Sequence, residues 1–463
     1  MSLSELKDTI VALATPPGAG AIGVIRLSGG EALYIAEKLF KGKSLKNLPS
    51  HTVHFGHIVS PTGNNKKEEI IDEVVLTLFK NPKSYTGEDV VEISGHGSPY
   101  ILQRILEVCI AAGARLARPG EFTQRAFLNG KLDLAQAEAV ADLIAANSRA
   151  AQQTALNQLR GGFSNDLKTL RDEMIHFAAL IELELDFSDE DVEFADRQQL
   201  SQLVDRIFRQ VNHLTESFRL GNVIKNGVSV AIIGKPNAGK STLLNAFLNE
   251  ERAIVSEIAG TTRDTIEEIL NINGILFRLI DTAGIREHST DKIENMGIER
   301  SRTNAARADI ILHVIDLLDE DEQHRFEWLT QYASKTIIVY NKFLAWQKRI
   351  NHLGTPVDSL YPPIDAKEGF GIDELKKLIY EKAVGESANM EATIVTNARH
   401  HEALQKIRES LLAIKSGMSF NLSGDLLTID IRRALHYIGE ITGQVEVDRD
   451  ILGTIFGKFC IGK

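Results

Sequence analysis

Gly234-Lys235-Pro236-Asn237-Ala238-Gly239-Lys240-Ser241 is a G-x-x-x-x-G-K-S loop, a spacing that suits phosphate binding. Successive backbone N–H groups in such a loop, with a helix N-terminus behind them, form a nest for anionic oxygens. Lys240 then reaches the terminal phosphates, and the Ser241 hydroxyl is placed to ligate Mg²⁺. The elements needed to hold the loop stand on both sides of it. Residues 228–233 are apolar and β-branched, as a buried strand requires, and residues 242–248 have helical spacing. A glycine-rich turn that matches by accident is the bland alternative, and the strand–loop–helix context argues against it. The expected site is one for a nucleoside triphosphate, lined by Asn237, Ala238, Gly239, Lys240, Ser241 and Thr242.

Further motifs follow in a fixed order. Ser256-Glu257-Ile258-Ala259-Gly260-Thr261-Thr262 is a loop in which a threonine can complete Mg²⁺ coordination and sense the γ-phosphate. Strands are predicted over 266–272 and 275–280, joined by Asn273-Gly274, a strong hairpin signal. Asp281-Thr282-Ala283-Gly284 ends the second strand and brings a carboxylate to the metal and a glycine N–H to the γ-phosphate. Residues 310–315 and 336–340 read as strands of a parallel sheet buried on both faces. The second ends in Asn341-Lys342, and Ile364-Asp365-Ala366-Lys367 precedes a predicted helix over 372–380.

This set resembles a Ras-like GTPase of the translation-factor class, which implies guanine as the base. Two departures matter. The base-reading pattern N-K-x-D has Leu344 in its fourth place, so either guanine selectivity is relaxed or residues are missing after Lys342; Asp365 also stands where a serine is usual. The second departure concerns hydrolysis. Ile285 occupies the place of the water-orienting glutamine, and no arginine finger is identifiable, so the polar catalytic group and the charge stabiliser must come from elsewhere.

At 463 residues the chain is too long for one core, and several domains are expected. A 43% hydrophobic and 25% charged composition is that of a soluble globular protein. No apolar run is long enough for a membrane span, and the N-terminus lacks a signal pattern, so the expected location is cytoplasmic. Two cysteines cannot build a disulfide scaffold and fit a reducing compartment. A net charge of −11 argues against a protein coated with nucleic acid, without excluding a local basic surface.

The N-terminal 120 residues read as a compact α+β domain, with strands at 9–14, 22–27, 53–59, 73–79 and 90–94 and helices at 31–40 and 99–112. Gly18-x-Gly20-x-x-Gly23 matches the dinucleotide fingerprint but is followed by a strand rather than a helix, so it is rejected. Cys109 falls inside the last helix, where a buried structural thiol is expected. Residues 118–123 break the chain, and a helix-rich region follows over 135–159, 167–185 and 200–218. Helical stripes resume at 404–414 and 426–441. The expected architecture is multidomain: an α+β N-terminal domain (1–120) and an α-helical central domain in two parts (121–221 and 385–463). A Ras-like α/β P-loop GTPase domain (222–384) is inserted between those parts.

Thr15-Pro16-Pro17-Gly18, Arg118-Pro119-Gly120-Glu121-Phe122, the run 125–131 (RAFLNGK), Gly260-Thr261-Thr262-Arg263-Asp264 and the terminal Phe459-Cys460-Ile461-Gly462-Lys463 converge on one family. Over essentially its whole length the chain resembles the MnmE (TrmE) family of tRNA-modification GTPases. The resemblance implies work with a flavin- and NADH-using partner of the MnmG type. Together they place an aminomethyl or carboxymethylaminomethyl group on carbon 5 of the wobble uridine of certain tRNAs. It implies a one-carbon unit from 5-formyl- or methylene-tetrahydrofolate and a homodimer formed through the N-terminal domain.

The resemblance also implies site roles. Asn237 through its side chain, and Ser256, Ile258 and Thr261 largely through carbonyl oxygens, match the positions that hold K⁺, which offsets the missing arginine; Ser241 and Thr262 match the Mg²⁺ ligands. Glu294 matches the water-orienting glutamate, so the catalytic candidates are Glu294, Lys240 and Asn237. Arg26, Glu92, Lys131 and Lys463 match folate contacts, and Cys460 fits a role in the modification chemistry. A GTPase switch for ribosome assembly, binding RNA without covalent chemistry, is the alternative, and it needs neither the folate positions nor Cys460. A helical scaffold with a degenerate nucleotide site is a third reading, drawn only from Leu344.

Overall fold

The computed structural model describes residues 8–60, 69–186, 197–251, 268–280, 294–319, 327–350, 363–385, 392–420 and 422–444, together with positions 455, 459 and 462. Its contacts divide the chain into two compact units: residues 1–141, 158–200 and 410–463, and residues 142–157 and 201–409.

In the first unit, β1 (Ile10–Leu13), β2 (Ile22–Ser28), β3 (Phe40–Lys41), β4 (Thr52–Ser60), β5 (Glu69–Phe79), β6 (Val90–His96) and β7 (Arg115–Leu116) form one sheet in the order β3-β4-β5-β6-β2-β1-β7. Every pairing is antiparallel except β1 with β7. Ile25, Leu27, Leu76, Leu78, Val91 and Ile93 lie in one buried cluster with Leu102, Ile105 and Cys109 of helix Pro99–Ala111. Alternation along each strand therefore covers one face with helices. The rejected fingerprint is a β1–β2 hairpin, Leu13 pairing with Ile25, and no helix N-terminus follows Gly23. Cys109 is fully buried, which pushes its thiol up to about 12 and leaves it without thiolate character at neutral pH. Helices Gly162–Asp186 and Gly424–Thr442 pack against each other in the same unit.

The helix-rich stretch expected over 135–159 is resolved into two helices, and the break expected at 118–123 is replaced by a third. Residues 135–159 form two helices, Leu134–Ala145 and Arg149–Leu159, because Ser148 caps the second: its Oγ accepts the Ala151 N–H at 3.2 Å. The predicted break at 118–123 gives way to helix Glu121–Leu128, which Gly120 starts in the left-handed conformation.

The second unit carries a five-stranded sheet in the order β12-β11-β8-β10-β9, with β8 (Val228–Ile233), β9 (Glu268–Ile272), β10 (Ile275–Ile280), β11 (Ile310–Asp316) and β12 (Thr336–Asn341). It is parallel except for the β9–β10 hairpin. Asn273 and Gly274 turn that hairpin with φ of 53° and 84°, the positive pair that a two-residue turn requires. Val230, Ile232, Leu312, Val314 and Val339 are buried with Leu243, Leu244 and Phe247 of helix Lys240–Glu251. Phe247, fully buried, contributes on the order of 2–3 kcal/mol through its removal from water. No helix of the described residues is long and apolar enough to cross a membrane.

Candidate functional site

The phosphate loop leaves the carboxyl end of β8 and runs into helix Lys240–Glu251, so the strand–loop–helix order expected from sequence is present. Asn237 (φ 64°) and Gly239 (φ 94°) both take the left-handed conformation. Alternating left- and right-handed backbone turns successive N–H groups to one side, which is the geometry of an anion nest. Asparagine tolerates that conformation better than bulkier residues do. Lys240 Nζ donates to the carbonyls of Gly234 (2.8 Å) and Lys235 (2.7 Å), lying across the loop it belongs to. Burial holds its pKa below the ordinary lysine value. Ser241 is half-buried at the start of the helix, and Thr242 is exposed beside it.

Asn341, at the end of β12 and 2% exposed, joins three loops. Its Nδ2 donates to the Ala238 carbonyl at 2.8 Å and its Oδ1 accepts the Ala366 N–H at 3.0 Å. The phosphate loop and the Ala366-Lys367 loop are thereby fixed to one side chain. A Cβ on Gly239 would lie 2.1 Å from Asn341 Nδ2, so this close approach requires glycine. Lys342 (φ 64°) places its Nζ 2.6 Å from Asp316 Oδ2, and Lys235 Nζ lies 3.0 Å from Asp319 Oδ2. Both pairs are partly exposed and contribute at most about 1 kcal/mol each, so their effect is orientation of the rim. Asp316 and Asp319 were not singled out from sequence. Asp316 ends a predicted parallel strand, the place where sheets of this kind carry ligand groups, and that signal was available.

Ser256, Glu257, Ile258, Ala259, Gly260, Thr261 and Thr262 lie outside the described residues, as do Asp281, Thr282, Ala283 and Gly284. Glu294 is the first residue of helix Glu294–Arg307. The described part of the site thus joins the phosphate loop to the Ala366-Lys367 loop through Asn341. The Ser241 hydroxyl, at the loop's helical end, suits a metal held between protein and phosphates, and the exposed Asn237 amide oxygen suits a cation ligand.

A second constellation lies in the sheet of the first unit. Arg26 on β2 stands opposite Glu92 on β6, with Nε donating to Oε1 at 2.8 Å and Nη2 2.7 Å from the same oxygen. Arg26 Nη1 also donates to the Gly462 carbonyl at 3.3 Å, so Gly462 is held at this pair. Its guanidinium lies 5.8 Å from the Tyr85 ring and 5.7 Å from the Phe122 ring. Tyr85 shares a hydrogen bond of 2.8 Å with Thr123, and burial, outweighing Thr123 and Arg26, pushes its phenol above the usual range. Tyr85 also lines an open recess with His51, Phe79, Lys83, Ser84 and Lys131. Lys131 Nζ donates to the Pro82 carbonyl at 3.1 Å. Arg26 and Lys131 are therefore brought to Tyr85, a residue the sequence reading missed, and Glu92 joins them through Arg26; Lys463 and Cys460 lie outside the described residues. An arginine, a lysine, a carboxylate and two aromatic rings suit a flat heterocycle carrying an acidic tail.

Fold and site together define a P-loop nucleotide-binding protein whose chain also carries a separate sheet-and-helix unit. The family description "GTP-binding protein TrmE N-terminus" matches residues 9–131, and "MnmE helical domain" matches residues 134–460. The chain is 52% identical over 465 residues to the tRNA modification GTPase MnmE of Cytophaga hutchinsonii, covering 100% of this chain and 99% of that protein. It is 49% identical over 483 residues to the protein of the same name from Christiangramia forsetii, covering 99% and 100%. Among solved structures, the FeoB G-domain from Methanococcus jannaschii is similar at 24% identity and a TM-score of 0.26, over 34% of this chain and 97% of that one. The chain belongs to the MnmE (TrmE) family of tRNA modification GTPases.

Proposed function

We propose that this GTPase is K⁺-stimulated and works with a flavin-dependent partner of the MnmG type. The pair modifies carbon 5 of the wobble uridine of certain tRNAs with an aminomethyl or carboxymethylaminomethyl group. The one-carbon unit comes from 5-formyl- or methylene-tetrahydrofolate. The observation that supports this reading is the Arg26–Glu92 pair with the Gly462 carbonyl on it, since Gly462 is the residue before Lys463 in the sequence. A switch that only bound RNA would have no use for that arrangement.

In this reading Glu92 accepts from the pterin N–H groups, and Arg26, Lys131 and Lys463 hold the glutamate tail. Cys460, three residues before Lys463 in the sequence, takes part in the modification chemistry. Residues 1–120 form the folate-binding and dimerisation domain, and 222–384 form the GTPase domain within a helical domain of 121–221 and 385–463. The protein is cytoplasmic. The test is a thermal shift. Saturating 5-formyltetrahydrofolate stabilises the wild type by mass action, about 2.7 kcal/mol at a hundredfold excess over Kd. Arg26→Ala is expected to remove the shift. A wild type that melts at the same temperature with and without ligand sinks the folate assignment.

The nucleotide site is assigned in the same way. Ser241 and Thr262 hold Mg²⁺, Asn237, Ser256, Ile258 and Thr261 hold K⁺, and Glu294 orients the attacking water. The main-chain and side-chain groups of 237–242, 256–262, 281–284 and 341–342 bind the nucleotide. A fixed monovalent cation supplies positive charge beside the phosphates where no arginine is available. The left-handed Asn237 turns an otherwise unassigned loop residue out to solvent, which supports its role as a ligand. Replacing K⁺ by Na⁺ is expected to lower GTP turnover at least tenfold, and Asn237→Ala to abolish the difference between the salts. Equal wild-type rates in the two salts would overturn the K⁺ assignment.

A further inference from the structure

Guanine presents two adjacent donors, N1–H and the 2-amino group, and a carboxylate satisfies both at once. The fourth position of the N-K-x-D pattern ordinarily supplies that carboxylate, and here it is Leu344, a half-buried residue in helix Phe343–Ile350. An apolar side chain cannot accept a hydrogen bond, yet the chain is a GTPase. A carboxylate on a neighbouring loop can take over that reading.

We propose that Asp365 is that specificity-determining residue. The backbone around it is pinned to the nucleotide loops at three points. Ile364 N–H donates to the Tyr340 carbonyl (2.7 Å), Phe343 N–H donates to the Ile364 carbonyl (3.1 Å), and Ala366 N–H donates to Asn341 Oδ1 (3.0 Å). Asp365 therefore sits between two residues bonded to the end of β12 and the segment after it. It is also locked into a small turn with Phe370, by N–H to carbonyl bonds of 2.9 and 3.1 Å. Phe370 stacks on Phe343 at 5.8 Å, which ties the turn to the residue beside Leu344.

Asp365 is 7% exposed, and a buried carboxylate is costly unless donors surround it. Among the described residues its side chain accepts from the Glu368 N–H, at a long 3.4 Å from Oδ1. Among the described residues no basic side chain pairs with it, whereas Lys342 holds Asp316 and Lys235 holds Asp319. Of Asp316, Asp319 and Asp365, the described carboxylates named here, Asp365 is the one without a lysine partner, which leaves acceptor capacity for a ligand. The two N–H groups of guanine match it in number and in kind. The leucine at 344 and the aspartate at 365, each odd alone, together relocate one carboxylate from one loop to its neighbour.

The test is the ratio of kcat/KM for GTP to that for XTP, in which an oxo group replaces the 2-amino donor. The wild type is expected to prefer GTP at least 100-fold. Asp365→Asn keeps an acceptor for the Glu368 N–H but offers an amide donor to the 2-oxo group, so the preference should swing to XTP by a similar factor. A merely structural role for Asp365 would depress turnover of both nucleotides together. If Asp365→Asn turns over neither, the double exchange Leu344→Asp with Asp365→Ser decides. GTP selectivity regained by returning the carboxylate to 344 supports the proposal. An unrestored enzyme, an Asp365→Asn ratio within threefold of wild type, or a wild type indifferent to the base overturns it.

Discussion

Lys240→Ala is expected to lower kcat/KM for GTP by about 1000-fold, or roughly 4 kcal/mol of transition-state stabilisation. The ammonium is the cation the phosphate loop itself carries toward the terminal phosphates, and in-line phosphoryl transfer depends on charge placed before reaction begins. The structure shows what alanine would leave behind. The Gly234 and Lys235 carbonyls, now bonded to Nζ, would lose that donor. They would repel phosphate oxygens where the lysine attracted them. Burial lowers the Lys240 pKa, so desolvation works against the charge that the phosphates would restore. Single-turnover hydrolysis and binding of a fluorescent guanine nucleotide, measured separately, divide the loss between affinity and chemistry. Turnover within tenfold of wild type, with the melting temperature unchanged, would count against this role.

The phosphate loop was legible in the sequence because its glycines are required by backbone geometry, and geometry of that kind leaves a fixed spacing. The strands of the nucleotide sheet were legible because burial on both faces demands continuous apolar runs such as 310–315. Asn341 was legible as part of a motif, but its two-sided bond to Ala238 and Ala366 was not. Those partners are 103 and 25 residues away, and only the sheet order brings them together. The Arg26–Glu92 pair has the same character: 66 residues separate the partners, and antiparallel register alone makes them neighbours. Helices Glu121–Leu128 and Phe343–Ile350 span eight residues each, too few turns for an apolar stripe to repeat. Helix Glu294–Arg307 is polar along most of its length, and Ala305 is its one residue in the apolar core among those described. Tyr85 gave no signal because its role comes from position between Arg26 and Lys131, and position across a fold is not written in spacing.

Arg125→Met is expected to destabilise the first unit by about 3–5 kcal/mol, the cost of removing one partner from a buried ionic cluster. Arg125 is 1% exposed and gathers three acids, Asp8 and Glu88 from distant parts of the chain and Glu121 from one turn earlier on its own helix. Nη2 lies 2.7 Å from Asp8 Oδ1 and 3.2 Å from Glu121 Oε1, and Nη1 lies 3.2 Å from Glu88 Oε2. Glu121 is equally buried, and its remaining partners are Arg115 Nη2 at 2.6 Å and the Arg118 N–H at 2.8 Å. Methionine fills the volume but leaves Glu121 short of one charge, so the loss is electrostatic rather than a cavity. The pH dependence separates the two causes. Burial is the largest influence on Glu121 and pushes its pKa up, but Arg115, the Arg118 N–H and Arg125 together hold it below the usual carboxylate range. Arg115 first, and then Arg125, hold Asp8 low as well against burial. A depressed folded-state pKa stabilises the fold above the unfolded value, near pH 4, and that contribution is lost as pH falls through the folded value. Wild-type melting temperature should therefore fall steeply below about pH 4.5, and Arg125→Met should start lower and fall less steeply. Helix Glu121–Leu128 also carries Phe122 and Thr123 against Arg26 and Tyr85, so the variant should loosen the constellation around Arg26 at neutral pH. Parallel acid profiles for the two proteins, offset by a constant amount, would show that packing and not the ion cluster set the loss.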